Sequence, residues 1–499
     1  MIATKETLQQ FEALAQKRIS EIRNAPDATC IKGTTYYVSN AGDDQNDGRT
    51  PATAWATLAR VSEAELAPGD GVLLCRGDLF RGMIKTKPGV TYGAYGEGAK
   101  PRLHGWDFDL ASPELWEEVD ATHHIWKMVK PILDPGTLVF NEGEAHSYKL
   151  IPSYIKGQFV CRNDESKPFV MANEMERDLD IFWEFTALMT EKPSKGESFP
   201  VPDMRINSYG TLYLRCDRGN PGAVFSSVEA VTRRVGFAVG SNENVHIDNI
   251  CIMYIGHHGV AAGGECVKGL RVTNCEIGWT GGTIQHYLGT DPNYPQGGRG
   301  TVTRFGNGIE VYGGCKDYEV SNCYIYQSYD AGITHQVTTW GKKRVMENVL
   351  YKDNVIEDCV YSIEYFLDMN EGDTESYMKG IEMCGNFLRR SGYGWGQQRH
   401  NYYTPAHIKG WSFYNKASEY SLHDNVFDRA AYRMLHLVAK EQESCPEMWG
   451  NTYIQHANGT LGQYGGNAVT EPEVLTFENA EEKIETVFGD KGAKVYTIE

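Results

Sequence analysis

The chain has 499 residues, a formal net charge of -18, 53 Gly, 29 Tyr and 12 Cys. That acidity argues against nucleic acid as a partner, because nucleic-acid affinity rests on Lys and Arg neutralising phosphates. The length is large for one globular core but suits a solenoid, which adds coils without thickening its core.

The start, Met1 to Thr7, has neither a basic segment leading into an apolar run nor a small-residue cleavage site, and no later stretch approaches membrane-spanning length. The chain as given is therefore expected to be cytoplasmic, with no membrane partner. Residues 4 to 24 set Leu8, Phe11, Leu14, Ala15, Ile19 and Ile22 at helical spacing, which predicts an amphipathic helix. Its expected position is over the open first coil of a solenoid, because open ends expose unpaired backbone and apolar core. Around residues 476 to 487, Phe477, Ala480, Ile484, Val487 and Phe488 predict a similar cap for the other end.

Residues 36 to 82 carry a strand (Tyr36-Tyr37-Val38), an Asp/Gly-rich turn (Asp43, Asp44, Asn46, Asp47, Gly48), then Trp55 to Leu58 and the turn Pro68-Gly69-Asp70-Gly71 before Val72-Leu73-Leu74. This segment resembles the opening of pectate-lyase-like β-helix proteins that act on carbohydrate. Asp43, Asp44 and Asp47 offer calcium ligands, but a turn built on Asx hydrogen bonds needs the same residues, and no cofactor is expected. Residues 105 to 230 interrupt the pattern with Trp-rich and charged stretches and a hairpin candidate at Tyr209 to Leu214. They read as an inserted β subdomain or long loops. The organisation is thus a capping helix (1–30), first coils (31–104), insertion (105–230), main coils (231–465) and C-terminal cap (466–499).

Seven Asn residues, Asn249, Asn274, Asn322, Asn354, Asn386, Asn425 and Asn451, each follow an alternating strand and precede another short residue run of apolar character, at spacings of 25, 48, 32, 32, 39 and 26. Asn tolerates the left-handed turn conformation and can hydrogen-bond to its neighbour one coil along. Its recurrence at every corner predicts an all-β chain folded as a right-handed parallel β-helix. The spacing of 48 implies a skipped coil or a loop carrying residues 281 to 303. The 12 Cys include no C-x-x-C pair and read as small core residues, Cys275 and Cys323 at equivalent places.

Three strands align by their apolar and Gly positions: Gly308 to Tyr312, Gly332 to Gln336 and Ser362 to Phe366. Stacking Ile309, Ile333 and Ile363 inward turns Glu310, Thr334 and Glu364 outward, two rungs separating the two Glu by roughly 10 Å. Asp330 shares their parity, so three carboxylates are expected on one surface. Clustered carboxylates raise the pKa of at least one, and two carboxyl groups in different protonation states are what glycoside hydrolysis needs. The alternative is outward acids that merely solvate a β surface. Tyr312, His335, Gln336, Tyr365, Phe366, Asp368, Trp395, His436, His257 and His258 are the expected sugar contacts, through ring stacking and hydroxyl hydrogen bonds. No paired or helical His motif supports a metal site at His257, His258, His286 and His335.

Gly306 to Glu310, Asp330 to Ile333 and Ser362 to Tyr365 resemble the catalytic coils of β-helix glycoside hydrolases of the β-xylosidase kind. The resemblance implies Asp330 as nucleophile, Glu364 as acid/base and Glu310 as a supporting carboxylate. A polysaccharide lyase or epimerase on the same fold would need a base and a cation beside a uronate, for which Arg304 and Arg399 are the nearest candidates. A non-catalytic carbohydrate-binding β-helix would lack clustered carboxylates. The expectation is a hydrolase of short neutral oligosaccharides or small glycosides, possible as a homo-oligomer, with Arg304, Tyr287, Tyr294 and Arg299 reaching the substrate.

Overall fold

The computed structural model describes residues 1–27, 30–155, 158–184, 209–288, 301–399, 403–411, 415–466 and 472–499. The chain winds as a right-handed parallel β-helix whose coils each give one strand to each of three long sheets. One coil supplies Cys315–Ser321, Tyr324–Ser328 and Ala331–Thr338, and the next supplies Val345–Lys352, Val355–Glu357 and Tyr361–Asp368. Alternation along each strand sends every second side chain inward. Equivalent residues then form columns such as Ile247, Val272, Val320, Tyr351, Met383 and Leu422, each opposite the next in register. All are buried, and they belong to one continuous apolar core.

The seven Asn do not share one position, as the sequence pattern suggested, but occupy two rows one residue apart. The corner row holds Asn249, Asn274, Asn322, Asp353, Gly385, Asp424 and Gly450, all at positive φ between 51° and 68°. Asn, Asp and Gly are the residues that adopt this left-handed conformation at least cost. The row behind it holds Cys275, Cys323, Asn354, Asn386, Asn425 and Asn451. From Asn354 onward these form a buried amide ladder: Asn354 donates to Asn386 (2.9 Å), Asn386 to Asn425 (2.9 Å), Asn425 to Asn451 (3.1 Å) and Asn451 to Asp490 (2.9 Å). Each also donates to a backbone carbonyl one coil back, as Asn386 does to Tyr351. Both spacings look alike in sequence because Asp or Gly takes over the corner where Asn moves inward.

The 48-residue interval contains a loop and no extra coil. Glu276 pairs directly with Tyr324, while Thr283–Leu288 and Thr301–Phe305 form an antiparallel hairpin off the coil. The N-terminal helix forms over Lys5–Arg23, but it does not cover the first coil. Its stripe of Ala15, Ile19 and Ile22 packs on Tyr324, Val355 and Phe387, an outward apolar row midway along one sheet. Arg23 to Glu276 (2.6 Å) and an ion pair of Glu12 with Arg389 pin it there. The first coil is instead closed by Trp55 and by Leu58 and Val61 of the short helix Leu58–Glu63. At the other end Phe477, Ala480, Ile484 and Phe488 close the core as the sequence pattern implied, whereas Val487 is exposed.

The insertion carries its own sheet and a separate apolar cluster including Trp106, Trp116, Ile181, Trp183, Leu212 and Leu214. Tyr209–Arg215 is one strand of that sheet, not a hairpin; it pairs with Asp180–Glu184 and Ile125–Met128. The carboxylates of Asp43 and Asp47 accept hydrogen bonds from Gln45 N and Arg49 N within their turn, and Asp44 accepts from Ala56 N, tying the turn to the start of the short helix. Among the described residues no cysteine is bonded to another. Among the described residues no helix is long and apolar enough to cross a membrane.

The two rows respond differently to substitution. Asn386→Ala takes the acceptor from the buried Asn354 backbone N–H and one hydrogen bond each from the Asn354 side-chain amide and the Tyr351 carbonyl, and is expected to cost about 3 kcal/mol. Asn322→Gly, at a half-buried left-handed corner, is expected to cost well under ~1 kcal/mol. Chemical denaturation of the two variants beside the parent chain measures this; equal losses would contradict the division into rows.

Candidate active site

The three aligned strands are consecutive rungs of one sheet. Ile309 lies opposite Ile333, and Ile333 opposite Ile363, followed by Ile408 and Leu435. The outward row beside this column reads Ala238, Ala261, Glu310, Thr334, Glu364, Lys409 and His436. Glu310 and Glu364 are thus two rungs apart, roughly 10 Å along the helix axis. They line one cavity of about 1150 Å³ together with Asp330.

Each carboxyl is held differently. Glu310 accepts from Asn307 Nδ2 and Thr334 Oγ1, both at 2.6 Å. Asn307 also accepts from Ala331 N (2.8 Å), which ties the loop before Glu310 to the next rung. Burial lifts the Glu310 pKa to about 7; the bonds from Thr334 and Asn307 work against that rise, and the charge of Asp330 adds to it. Glu364 accepts from Gln336 Nε2 (2.6 Å) and from the indole Nε1 of Trp411. Burial, then the charge of Asp330, lifts its pKa well above the usual carboxylate range, against the nearby cations Arg399 and Lys409. Asp330, immediately before the strand Ala331–Thr338, is ion-paired with Arg399. Arg399 directly follows the single helical turn Trp395–Gln398, and its guanidinium lies 5.7 Å from the Tyr361 ring.

The rim is aromatic. Tyr312 packs against Trp340 (5.8 Å) and edge-on to Phe366 (6.1 Å), with Trp340 64% exposed. Asp368 and Gln336 complete this side. Across the cavity stand His257, His258 and Phe305, with ring centroids 4.3 to 5.5 Å apart. His258 Nδ1 accepts from Asn307 N (3.0 Å), which leaves its proton on Nε2. Burial holds His257 neutral, with its pKa lowered to about 3, and holds His258 well below the usual imidazole range.

The fold thus brings Asp330, Glu310, Glu364, Gln336, Tyr312, Phe366, Asp368, His257 and His258 together. It places five expected contacts elsewhere. His335 and Tyr365 point into the core, because alternation that turns Thr334 and Glu364 outward turns the next residue inward. Their rings stack on one another at 5.3 Å, and His335 bonds the Tyr351 hydroxyl. Trp395 and Arg304 sit at a neighbouring corner: Trp395 donates to Gln327 O, and Arg304 donates to Gly282 O and Gly136 O, packing between Tyr329 and Trp395. His436 shares the outward row of Glu364 but is buried two rungs beyond it, outside the cavity lining. The side chains of His286 and Tyr287, and residues Tyr294 and Arg299, lie outside the described residues.

Sequence reasoning missed Trp411, Trp340, Asn307, Phe305 and Gln285, all of which line the cavity. Extending the alignment one rung, with Ile408 under Ile363, would have found Lys409 and Trp411. Trp340 and Asn307 stand on connections between strands, and Gln285 and Phe305 on the hairpin that leaves the coil, none of which the repeat aligns.

A long parallel β-helix with one acidic, aromatic-rimmed cavity on a single sheet is the class that fold and site define. No family model matches the chain. A curated lacto-N-biosidase from Bifidobacterium longum subsp. longum is 41% identical over 80 residues, 14% of this chain, and the chain covers 5% of that protein's length. Among solved structures, a complex of XylC with xylose aligns over 93% of this chain and 83% of that one, at 12% identity and a TM-score of 0.44. A lacto-N-biosidase from Eubacterium ramulus aligns over 99% and 71%, at 11% identity and 0.32. A polygalacturonase from Erwinia carotovora ssp. carotovora aligns over 95% and 97%, at 9% identity and 0.32. The structural neighbours are carbohydrate-active β-helix enzymes.

The raised pKa of Glu310 fixes the sign of a stability effect. The folded protein holds this proton more tightly than the unfolded chain, whose Glu titrates near 4.5. The resulting stabilisation is complete below that value and is lost as pH rises through about 7. Relative to the parent, Glu310→Gln is therefore expected to gain about 3 kcal/mol of stability between pH 4 and pH 8. Denaturant titrations at the two pH values measure this, and parallel pH curves for variant and parent would contradict it.

Proposed function

We propose that the chain is a glycoside hydrolase acting on short neutral oligosaccharides or small glycosides. The observation that carries this reading is a pair of carboxyl groups in one cavity with opposed environments. Glu364 is buried and biased toward its protonated form, while Asp330 is paired with the Arg399 guanidinium. Two carboxyl groups in such different surroundings divide naturally into acid and base or nucleophile. Glu364 protonates the departing glycosidic oxygen, and its anion then accepts hydrogen bonds from Gln336 and Trp411. Asp330 acts on the other side of the anomeric carbon. Glu310, biased toward its neutral form, binds hydroxyls and keeps a third negative charge out of the cavity.

The aromatic rim supports the substrate class. Tyr312, Phe366 and Trp340 offer ring faces for the apolar sides of pyranoses. The cavity volume exceeds the range of roughly 300–1,000 Å³ usual for small-ligand pockets, which suits an oligosaccharide more than a single ring. A lyase reading has less support, because the cavity's Arg399 is engaged with Asp330 and three carboxyl groups disfavour a polyuronate.

The test is hydrolysis of aryl glycosides and short oligosaccharides. Xylosides come first, following the resemblance of the catalytic coils, with lacto-N-biose glycosides added because the curated relative is a lacto-N-biosidase. Glu364→Gln and Asp330→Asn are each expected to lower kcat/KM at least ~100-fold without loss of fold. Unsaturated products from uronates, or turnover that survives both substitutions, would overturn the reading. The first-formed anomer, read by nuclear magnetic resonance, assigns Asp330: retention makes it the nucleophile and inversion the base.

Trp411 allows a finer check. Its indole N–H stabilises the Glu364 anion, so Trp411→Phe is expected to raise the acid's pKa further and move the alkaline limb of the kcat/KM profile to higher pH. An unmoved limb would remove Trp411 from the tuning of the acid.

A further inference from the structure

On a different sheet from the cavity, three unlike metal-ligating side chains meet on the outer surface. Alternation along Tyr377–Cys384 turns Ile381 and Met383 into the core and Glu382 and Cys384 to the other side of the strand, where Glu382 is exposed and the Cys384 thiol is covered, at 7% exposure. The next rung, Ala417–His423, sets His423 directly opposite Cys384. Two ligands at i and i+2 of one strand and a third across the ladder form a triangle on a pleated surface, with rungs about 4.8 Å apart. The ligand atoms of Glu382, Cys384 and His423 all lie within 4.8 Å of one another.

We propose that Glu382, Cys384 and His423 bind a zinc-type dication that clips two consecutive coils together. Bonds of roughly 2.0–2.3 Å at tetrahedral angles place ligand atoms about 3.5 Å apart, so small side-chain rotations suffice. His423 Nε2 already stands 3.2 Å from Glu382 Oε1. Its other ring nitrogen, Nδ1, lies 2.8 Å from the Asp424 carboxylate, which keeps a proton on Nδ1, so that the metal takes the place of the Nε2 proton now shared with Glu382, and that proton leaves to solvent. Trp449, one rung further, stacks on the imidazole at 4.1 Å and 11° and fixes its plane.

The donor set selects the ion. Thiolate, imidazole and carboxylate together suit zinc, whereas calcium and magnesium take oxygen ligands. The sulfur–metal bond replaces the Cys384 S–H, whose proton leaves to solvent, and the charges of Glu382 and the thiolate balance the dication. Water fills the fourth position. Since both strands belong to the regular stack, the clip adds a tie between rungs without changing their register, and nothing in it depends on the carbohydrate cavity.

The experiment uses the full chain, stripped with chelator and titrated with Zn²⁺ by calorimetry and with Co²⁺ by absorbance. One zinc per chain and a thiolate-to-cobalt charge-transfer band are expected. Cys384→Ser should abolish the band and weaken zinc at least ~100-fold; Asp424→Asn, which loses only the orienting carboxylate, should weaken it 10- to 100-fold, the usual effect of such partners. Cys161→Ser, at an unrelated cysteine, should change neither. His423→Gln, with circular dichroism as a folding control, tests the same site if Cys384→Ser folds poorly. Absence of zinc binding at micromolar concentration, or binding and a cobalt band that survive both Cys384→Ser and His423→Gln, would overturn the proposal.

Discussion

Everything in this molecule depends on the parallel register between successive coils. Because side chains alternate with a period of two, a slip of one residue would exchange the inward and outward faces of a whole strand. Ile309, Ile333 and Ile363 in one buried column therefore force Glu310, Thr334 and Glu364 into one outward row. The corners hold that register twice over. Left-handed Asn, Asp and Gly residues turn the chain at the same place on every rung, and the amide ladder from Asn354 to Asn451 penalises any rung that shifts, since a displaced Asn would lose partners on both sides.

A rigid row allows carboxyl groups to be buried where they would otherwise migrate to water. Burying charge is costly unless it is paired or neutralised, and the cavity uses both remedies. Asp330 is paired with Arg399, while Glu310 and Glu364 are biased toward the neutral form and given hydrogen-bond donors. Those donors oppose the upward shift at Glu310 and do not remove it. Stability is therefore surrendered with rising pH at Glu310, one of the carboxyl groups that the proposed reaction uses in protonated form.

Repetition made the fold legible: a strand pattern and a corner residue recurring through seven coils specify a parallel β-helix with little help from any single residue. The outward carboxylates were legible for the same reason, because three rungs align on Ile, Gly and parity. His335 and Tyr365 were misassigned by following neighbourhood in sequence when alternation had already decided their direction. Trp395 and Arg304 lie near the site in sequence terms but on another corner. The helix Lys5–Arg23 shows its apolar stripe plainly, yet the matching surface, Tyr324, Val355 and Phe387, is assembled from three different coils and has no local signature. The same holds for Trp340, which reaches the cavity from a connection that no repeat aligns, whereas Trp411 stands one residue past a strand that the repeat does align.

The outward row also gives the cavity its direction. Before Glu310 it carries Lys85, Ala238 and Ala261, and the cavity extends over the two alanines with Gly240 and Gly263 beside them and stops short of Lys85. After Glu364 it carries Lys409 and His436, and Lys409 lies against the Trp411 ring at 4.1 Å. A row of one chemical period thus changes from small to acidic to bulky within seven rungs. Rungs stand about 4.8 Å apart, so each substitution in this row alters the floor over a distance comparable to one sugar ring. A solenoid whose backbone is nearly uniform acquires a closed end and an open end through side-chain size alone, and the carboxyl groups stand where the two meet.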